Sequence, residues 1–574
     1  MRRPLALTAG LIALLALAPA ASAQSRIALP GLLDPPTIRA GQAKARQQKL
    51  DAQAAVRSHA ELLGYSKEQI RQALTPTMVR RGRFQLHLED GTVVAFPWYR
   101  IGFAENKLAN TKKAISRDAR GNPLRHETNK GGVRLHHGVF VNEVYALALK
   151  MDTKLATARD AIGSHAFRGA KGGIGAGRVV KVGSRYTAKV GDFVDPASPV
   201  FNRGEIMRKF ARSYRARGGD VGPGLDIQAG DVNTKAAEMK VLAETYGSKR
   251  TPSFGVSGKQ VQHKKDGTID PRGGIEYRGI STGDGVWMAT RLAARRAGVK
   301  VRGATVLAQG WGEVGQAFGR SAVADGARVI AIQELWNIAG GKVGGILHHP
   351  LGATAKPRQV KQWLAEVEAL RGSGQDLSTY NGGKLMRHFK QGQDASAVRA
   401  DIVGINAMGN VLNRDTVPAY VRSGSHQGKR KILAEGANLA ETREGARLLD
   451  RHAGKLLTVT GDLANLGGVH VSNQEAVQNL FRLPVTSKMA KRSLLGTMRA
   501  GWNRAMKVAD KKRLSERKAI EVAAVDGMMK RSLHLPNAPR APMERRVFRS
   551  NHLGARSRIA LPRNLQWARG KPTR

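Results

Sequence analysis

A chain of 574 residues, 41% of them hydrophobic and 66 of them glycine, is long enough for two or more domains and too rich in apolar side chains for a wholly disordered protein. It contains no cysteine, which excludes disulfides, thiolate catalysis and Cys-ligated metals. The formal charge of +51 sets up a field that attracts polyanions such as nucleic acid, anionic lipid or envelope polymers; spread along the whole chain, the same charge also reads as a plain solvated basic surface.

Met1-Arg2-Arg3, an apolar run over 5–18 and Ala21-Ser22-Ala23 form the charged, apolar and small-residue regions of a signal peptide, with cleavage expected after Ala23. An uncleaved anchor is the alternative, but the run is shorter than the ~20 residues a membrane span needs. A periplasmic or secreted mature chain is therefore expected, with the cytoplasm as alternative. Residues 24–85 carry Ala54, Ala55, Leu62 and Leu63 at helical spacing, broken at Thr75-Pro76, and predict a helical N-terminal segment. Alternation over 84–88, a turn at Asp90-Gly91 and a second run over 92–96 predict a β-hairpin. An apolar-periodic stretch over 141–150 leads into a glycine-rich segment, 169–177, read as a loop. Helices and strands then alternate to about residue 470, which makes the fold α/β. A helical stretch over 489–530 follows, and 533–574, basic and rich in Pro, predict a poorly ordered tail.

The run 304–309 has the pattern of a buried strand and passes directly into Gly310-Trp311-Gly312-Glu313-Val314-Gly315 and a helix. Here GxGxxG stands in the context it needs. Gly310 allows the tight turn, Gly312 lets backbone approach a pyrophosphate at the helix N-terminus, and Gly315 lets helix pack on strand. A second strand over 327–332 ends near Glu334, where a carboxylate can accept hydrogen bonds from ribose hydroxyls. The cofactor-binding set is Gly310, Gly312, Glu313, Val314, Gly315 and Glu334. It predicts NAD, with NADP as alternative because arginines such as Arg328 lie close.

Upstream, Lys130, Lys154 and Lys171 stand in distinctive settings, two of them beside paired glycines. If they converge, mutual repulsion lowers at least one pKa, giving an amine that acts near neutral pH while the others hold carboxylates. Asp231, in Ala229-Gly230-Asp231, offers a carboxylate partner, with helix capping as the bland reading. Taken singly, each of these is as readily an ordinary surface residue. The pairs His136-His137 and His348-His349 lack metal-ligand spacing, and no metal is expected.

Taken in order, the motifs resemble those of the Glu/Leu/Phe/Val dehydrogenase family, glutamate dehydrogenases most of all. The likeness rests on Lys130 to Arg134, Gly169 to Gly173, Ala229 to Asp231, Ser257-Gly258-Lys259, Arg278 to Gly283, Ala434 to Asn438 and Asn465 to Ser472. It runs from about Phe84 to Leu480 and more weakly to about Lys530. The resemblance implies a two-domain α/β amino-acid dehydrogenase: a substrate domain over 86–281, a Rossmann-type dinucleotide domain over 282–465, C-terminal helices over 466–532 returning to the substrate domain, and an active-site cleft between the two domains. It implies that Lys171 is the catalytic lysine and that Asp231 shuttles protons to and from the nitrogen. Lys154 holds the substrate α-carboxylate, Lys130 and Ser472 reach its side-chain carboxylate, and Arg278 belongs to the same substrate-binding set. Thr282, Ser257 and Asn438 line the cofactor side.

The expected reaction is reversible oxidative deamination of L-glutamate with NAD(P), in a homo-oligomer that the resemblance makes a hexamer. A lysine and a hydroxyl at the far end of a pocket suit a dicarboxylic side chain and are left unpaired against leucine or phenylalanine. Two alternatives stand beside it: a catalytically silent family member whose basic surface binds polyanions, and a dehydrogenase for another L-amino acid. Residues 162–167 read as an insertion between Lys154 and Lys171.

Overall fold

A computed structural model of the chain describes residues 26–533, except 105–115, 118–122, 125–126, 159–166, 223–224, 249–252, 339–340, 374–388, 392–393 and 408. The expected signal peptide, nearly all of the basic tail and residues 162–166 of the expected insertion lie outside the described residues. Among the described residues, no helix is long and apolar enough to cross a membrane.

The helical start is formed by Pro35–Leu62 and Lys67–Leu74, the second opened by a Ser66–Gln69 capping box and ending at the Thr75-Pro76 break. The hairpin follows: strand Met78–His87 pairs antiparallel with Val93–Gly102. Gly91, at φ +86°, supplies the left-handed residue of its turn. Both belong to a nine-stranded sheet whose middle runs Asp226–Gly230, Thr128–Leu135, Phe167–Ile174, Val93–Gly102. Phe96, Trp98, Phe210 and Tyr214 fill the core on one side, Trp98 meeting the Phe210 ring edge-on at 5.6 Å.

The segment expected as a glycine-rich loop is instead a strand, Phe167–Ile174, buried throughout and parallel to Thr128–Leu135. Glycine serves here for packing rather than for a turn. A methyl group at Gly131 would fall 1.6 Å from the Ala170 carbonyl oxygen, and one at Gly169 would fall 2.3 Å from the Asp152 nitrogen of helix Val141–Thr157. Only bare backbone lets the two strands and the helix approach so closely. Beneath them, fully buried Arg100 pairs with Asp226 and donates to the carbonyls of Gly131 and Gly132 at 3.1 and 3.2 Å. It thereby ties Val93–Gly102 to Asp226–Gly230 across the two strands that carry the lysines.

The second sheet has seven strands. Its parallel core is Arg328–Ile338, Thr305–Gln309, Ile402–Ile405, Lys431–Glu435, Leu456–Val459, extended on one side by Gly341–His348 and Phe389–Gln391 running antiparallel. Helices Ser281–Ala297 and Glu313–Ala324 cover it, with Trp287 and Phe318 in edge contact at 5.6 Å. The C-terminal helical stretch is two helices, Ser487–Lys512 and Glu516–Ser532, separated where Arg513 takes a left-handed conformation. The last helix returns to the first sheet: Arg531 donates to the carbonyls of Asp152 and Phe167 at 2.7 and 3.0 Å.

Candidate active site

On Thr128–Leu135 the residues Lys130, Gly132 and Arg134 share one face, as do Gly169, Lys171 and Gly173 on the neighbouring strand. The glycines between the charged residues leave the room those side chains use. A methyl at Gly132 would meet the Asp231 Cβ at 2.7 Å, and one at Gly173 would meet Arg134 Cγ at 2.8 Å. Asp231 follows strand Asp226–Gly230 and caps no helix; its carboxylate accepts from Lys171 Nζ at 2.6 Å and Arg134 Nε at 3.1 Å. Burial opposes ionisation there, but the Arg134 guanidinium and the Lys171 ammonium outweigh it and hold Asp231 well below the usual carboxylate range. Burial lowers Lys171 from its ordinary value, with Asp231 pulling the other way.

Lys130 Nζ donates to Ser472 Oγ at 2.7 Å and Ser257 Oγ at 2.9 Å, and the two hydroxyls are 2.8 Å apart. Ser257, expected on the cofactor side, therefore belongs to the lysine cluster. Ser472 is held in place through its own helix, Leu466–Phe481: Glu475, one turn on, pairs with Lys259 Nζ at 3.0 Å and accepts from the Gly258 N–H at 2.7 Å. Lys154 donates to the side-chain oxygens of Asn438 and Asn465. Asn438, expected on the cofactor side, thus contacts Lys154. Burial pushes Lys130 and Lys154 each down to about 7; Glu475 pulls against the shift at Lys130, and Asp462 does so at Lys154. Arg278 and Thr282 lie against Gly468, where a methyl would meet Thr282 Oγ1 at 2.5 Å and an Arg278 guanidinium nitrogen at 3.1 Å. Arg278 Nε is buried with no hydrogen-bond partner.

At the second sheet, Gly310 sits at φ +90°, where a methyl would also strike Ala407 at 2.6 Å. Gly315 abuts the Gly310 carbonyl, a methyl there falling 1.9 Å from its oxygen, while nothing lies within 4 Å of the space beside Gly312. A tight turn, a close helix and an open approach to the N-terminus of Glu313–Ala324, where Glu313 and Val314 begin the helix, are what a pyrophosphate needs. The strand expected to end near Glu334 runs on to Ile338 as half of a hairpin. Its parallel pairing stops at Gln333, so Glu334 still lies at the edge of the glycine turn. It accepts from the Trp311 N–H at 2.7 Å and from Arg371 at 3.1 Å.

Residues 125–248 match the dimerisation domain of the Glu/Leu/Phe/Val dehydrogenases and residues 273–533 match the Glutamate/Leucine/Phenylalanine/Valine dehydrogenase domain, together about two thirds of the chain. The chain belongs to the Glu/Leu/Phe/Val dehydrogenase family. It is 28% identical over 460 residues to a glutamate dehydrogenase of Thermotoga maritima, covering 79% of this chain and 89% of that protein. It is 27% identical over 408 residues to an NAD-specific glutamate dehydrogenase of Staphylococcus aureus, covering 70% of this chain and 78% of that protein. In fold it resembles the hetero-hexameric glutamate dehydrogenase of Thermus thermophilus, with a TM-score of 0.59 at 21% identity over 87% of this chain and 97% of that one.

Within this dehydrogenase, Arg134 and Asn465 join the cluster without a role that the motifs imply for them. The period-2 alternation of Lys130, Gly132 and Arg134 carries the signal for the first, since it puts Arg134 on the catalytic face of its strand. Asn465 opens the motif that runs to Ser472, but nothing in that motif points to Lys154. It meets Lys154 only because helix Leu466–Phe481 starts beside the end of helix Val141–Thr157.

Proposed function

We propose that the chain catalyses the reversible NAD(P)-dependent oxidative deamination of L-glutamate to 2-oxoglutarate and ammonia. The cluster of Lys130, Ser472 and Ser257 carries this reading: a buried ammonium held only by two hydroxyls is a receptor for the second carboxylate of a dicarboxylic amino acid. Lys154, partnered only by neutral amide oxygens, suits the α-carboxylate, and Arg278 adds a free donor. The names of the relatives support the same substrate.

Gly310, Gly312, Gly315, Glu313, Val314 and Thr282 would hold the dinucleotide, which supplies a hydride acceptor when bound. This chain's own groups manage carboxylates and protons. With its pKa lowered by burial, Lys171 is the amine that takes a proton from the water attacking the substrate α-carbon and that stabilises the oxygen formed there. Asp231, held ionised by Arg134 and Lys171, gains affinity for a proton only when Lys171 has lost its own charge. Proton transfer to and from the substrate nitrogen is thereby tied to the state of Lys171. The Glu334 carboxylate repels a 2′-phosphate and favours NAD, while its Arg371 partner leaves measurable use of NADP.

The domain boundaries at about 86, 282 and 466, export after cleavage at Ala23, and assembly as a homo-hexamer belong to the same proposal. The Thermus structure, a hetero-hexamer, supports the number of subunits and not their identity, and light scattering of the purified chain tests the assembly. The +51 charge supports an added affinity for polyanions that weakens steeply with salt. The deciding experiment measures NADH formation by the purified chain over a panel of L-amino acids beside a Lys171→Ala variant. Turnover on glutamate that is lost in the variant is expected. A folded protein that turns over no amino acid with either cofactor refutes the reading and leaves the silent, polyanion-binding alternative.

A further inference from the structure

Away from the lysine cluster, a cavity of about 370 Å³ lies where helices Pro35–Leu62, Val141–Thr157 and Glu516–Ser532 meet the segment that follows strand Lys431–Glu435. Its lining includes the buried carboxylates Glu435, Asp462 and Glu521 and half-buried Glu441 beside half-buried Lys150 and buried Arg517, with Asp51, Asp450, Arg443, Arg447 and Lys518 half-buried or exposed around them. Arg517 binds Glu441 at 2.8 Å and Glu521 at 2.9 Å, and Lys150 binds Asp462 at 2.7 Å. His59 Nε2 stands 3.6 Å from Glu521, but burial lowers its pKa, so it adds little positive charge. Glu435 is the carboxylate left over. It is 2% exposed, its Oε2 accepts from the Gly461 N–H at 2.9 Å, and its Oε1 has no hydrogen-bond partner. One oxygen of Glu441, Oε2, is likewise buried without a partner.

We propose that this cavity binds an organic cation, an aliphatic amine or guanidinium compound, whose charged end meets Glu435 and Glu441. An ammonium or guanidinium supplies the donors the two orphaned oxygens lack and the counter-charge Glu435 lacks. Ala52, Ala55, Val56 and Leu149 offer the aliphatic body an apolar wall. The volume falls in the range of small-ligand pockets, ~300–1,000 Å³, and exceeds what a bare metal ion fills. Burial raises Glu435 to about 7 even with Lys150 near it, as befits a carboxylate that lacks its counter-ion. The occupant would also touch both halves of the molecule. Lys150 and Glu521 belong to the substrate side, and Glu435 opens the turn that ends at Asn438, the partner of Lys154. Any effect of the cation on turnover rests on the function proposed above; its binding does not.

Titration calorimetry of the full chain with putrescine, spermidine and agmatine, beside potassium chloride, succinate and AMP, tests the assignment. A chain of +51 repels amines over most of its surface, so saturable binding is informative. Binding of at least one amine is expected, weaker by about tenfold or more in Glu435→Gln, which removes one buried charge contact. The same loss is expected in Ala55→Trp, which blocks the exposed mouth without touching a carboxylate, both variants being checked for fold by circular dichroism. Failure of every amine to bind the unaltered chain at millimolar concentration overturns the proposal. So does binding of succinate or AMP in place of the amines, or amine binding unchanged in folded Glu435→Gln.

Discussion

Lys130→Met removes a charge that the fold holds at a loss and leaves its two partners satisfied, because Ser257 and Ser472 already hydrogen-bond each other at 2.8 Å. Burial lowers the Lys130 pKa from 10.5 to about 7, so the folded state binds fewer protons than the unfolded state between those values and wild-type stability rises with pH across that window. At ~1.4 kcal/mol per unit, the buried amine costs about 5 kcal/mol at pH 6, where the folded chain must carry the charge. At pH 9 the folded lysine is already neutral, and the cost shrinks to about 2 kcal/mol, the free energy of deprotonating an exposed lysine. The methionine variant is therefore expected to resist denaturant better than wild type at pH 6, with an advantage narrower by about 3 kcal/mol at pH 9. Guanidinium denaturation at the two pH values, followed by tryptophan fluorescence, measures it. An advantage of the same size at both values refutes the buried-charge argument, and a variant less stable at pH 6 reverses it.

Arg134→Ala strips Asp231 of its larger stabilising charge, so its pKa rises. The acid limb of the kcat profile is expected to move to higher pH, with kcat reduced by about tenfold or more, and a pH–rate series on glutamate measures both. Glu334→Ala removes the ribose acceptor and frees Arg371; the ratio of kcat/KM for NAD to that for NADP is expected to fall, and an unchanged ratio disproves the assignment of Glu334. Because Lys130 and Lys154 lose their charge above about 7 in the free protein, KM for glutamate is expected to climb with pH above neutrality. A flat KM from pH 6 to pH 9 counts against these lysines as carboxylate ligands.

Much of the site was legible because its signals are local. A strand running into Gly310-Trp311-Gly312-Glu313-Val314-Gly315 fixes a turn, a helix start and an approach for phosphate within a few residues. Lys130, Lys171 and Asp231 were recognisable as motif members, and the structure brings Lys171 and Asp231 into contact. Less legible was what depends on distant chain meeting. The glycine-rich run over 169–177 predicts a loop since paired glycines favour turns, yet Gly169 admits helix Val141–Thr157, and Gly131 the Ala170 carbonyl, at distances that no Cβ allows. Ser257 and Asn438 carry no mark of the lysines they meet, since their partners lie 127 and 284 residues away. The partnership of Arg134 with Asp231 was hidden for the same reason, 97 residues separating the two.

With Lys130 and Lys154 as the proposed carboxylate ligands, the charge layout favours a dicarboxylate over its apolar relatives. Around the site Lys130, Lys154 and Arg278 face only neutral oxygens or no partner, while the carboxylate of Asp231 is taken up by Arg134 and Lys171. The unliganded protein therefore answers burial by giving up protons, and a substrate with two carboxylates reverses that by supplying both missing counter-charges. On those roles glutamate binding is expected to be accompanied by proton uptake, part of its affinity being relief of a desolvation penalty already present in the fold. On the same roles leucine delivers one carboxylate to Lys154 and sets a methyl-tipped side chain against Lys130, which must then stay neutral or hold its charge without a counter-ion. On the proposed roles the discrimination follows from a lysine without a counter-charge, carried on Thr128–Leu135, held by Ser257 from across strand Asp226–Gly230 and braced by the Glu475–Lys259 pair beneath Ser472.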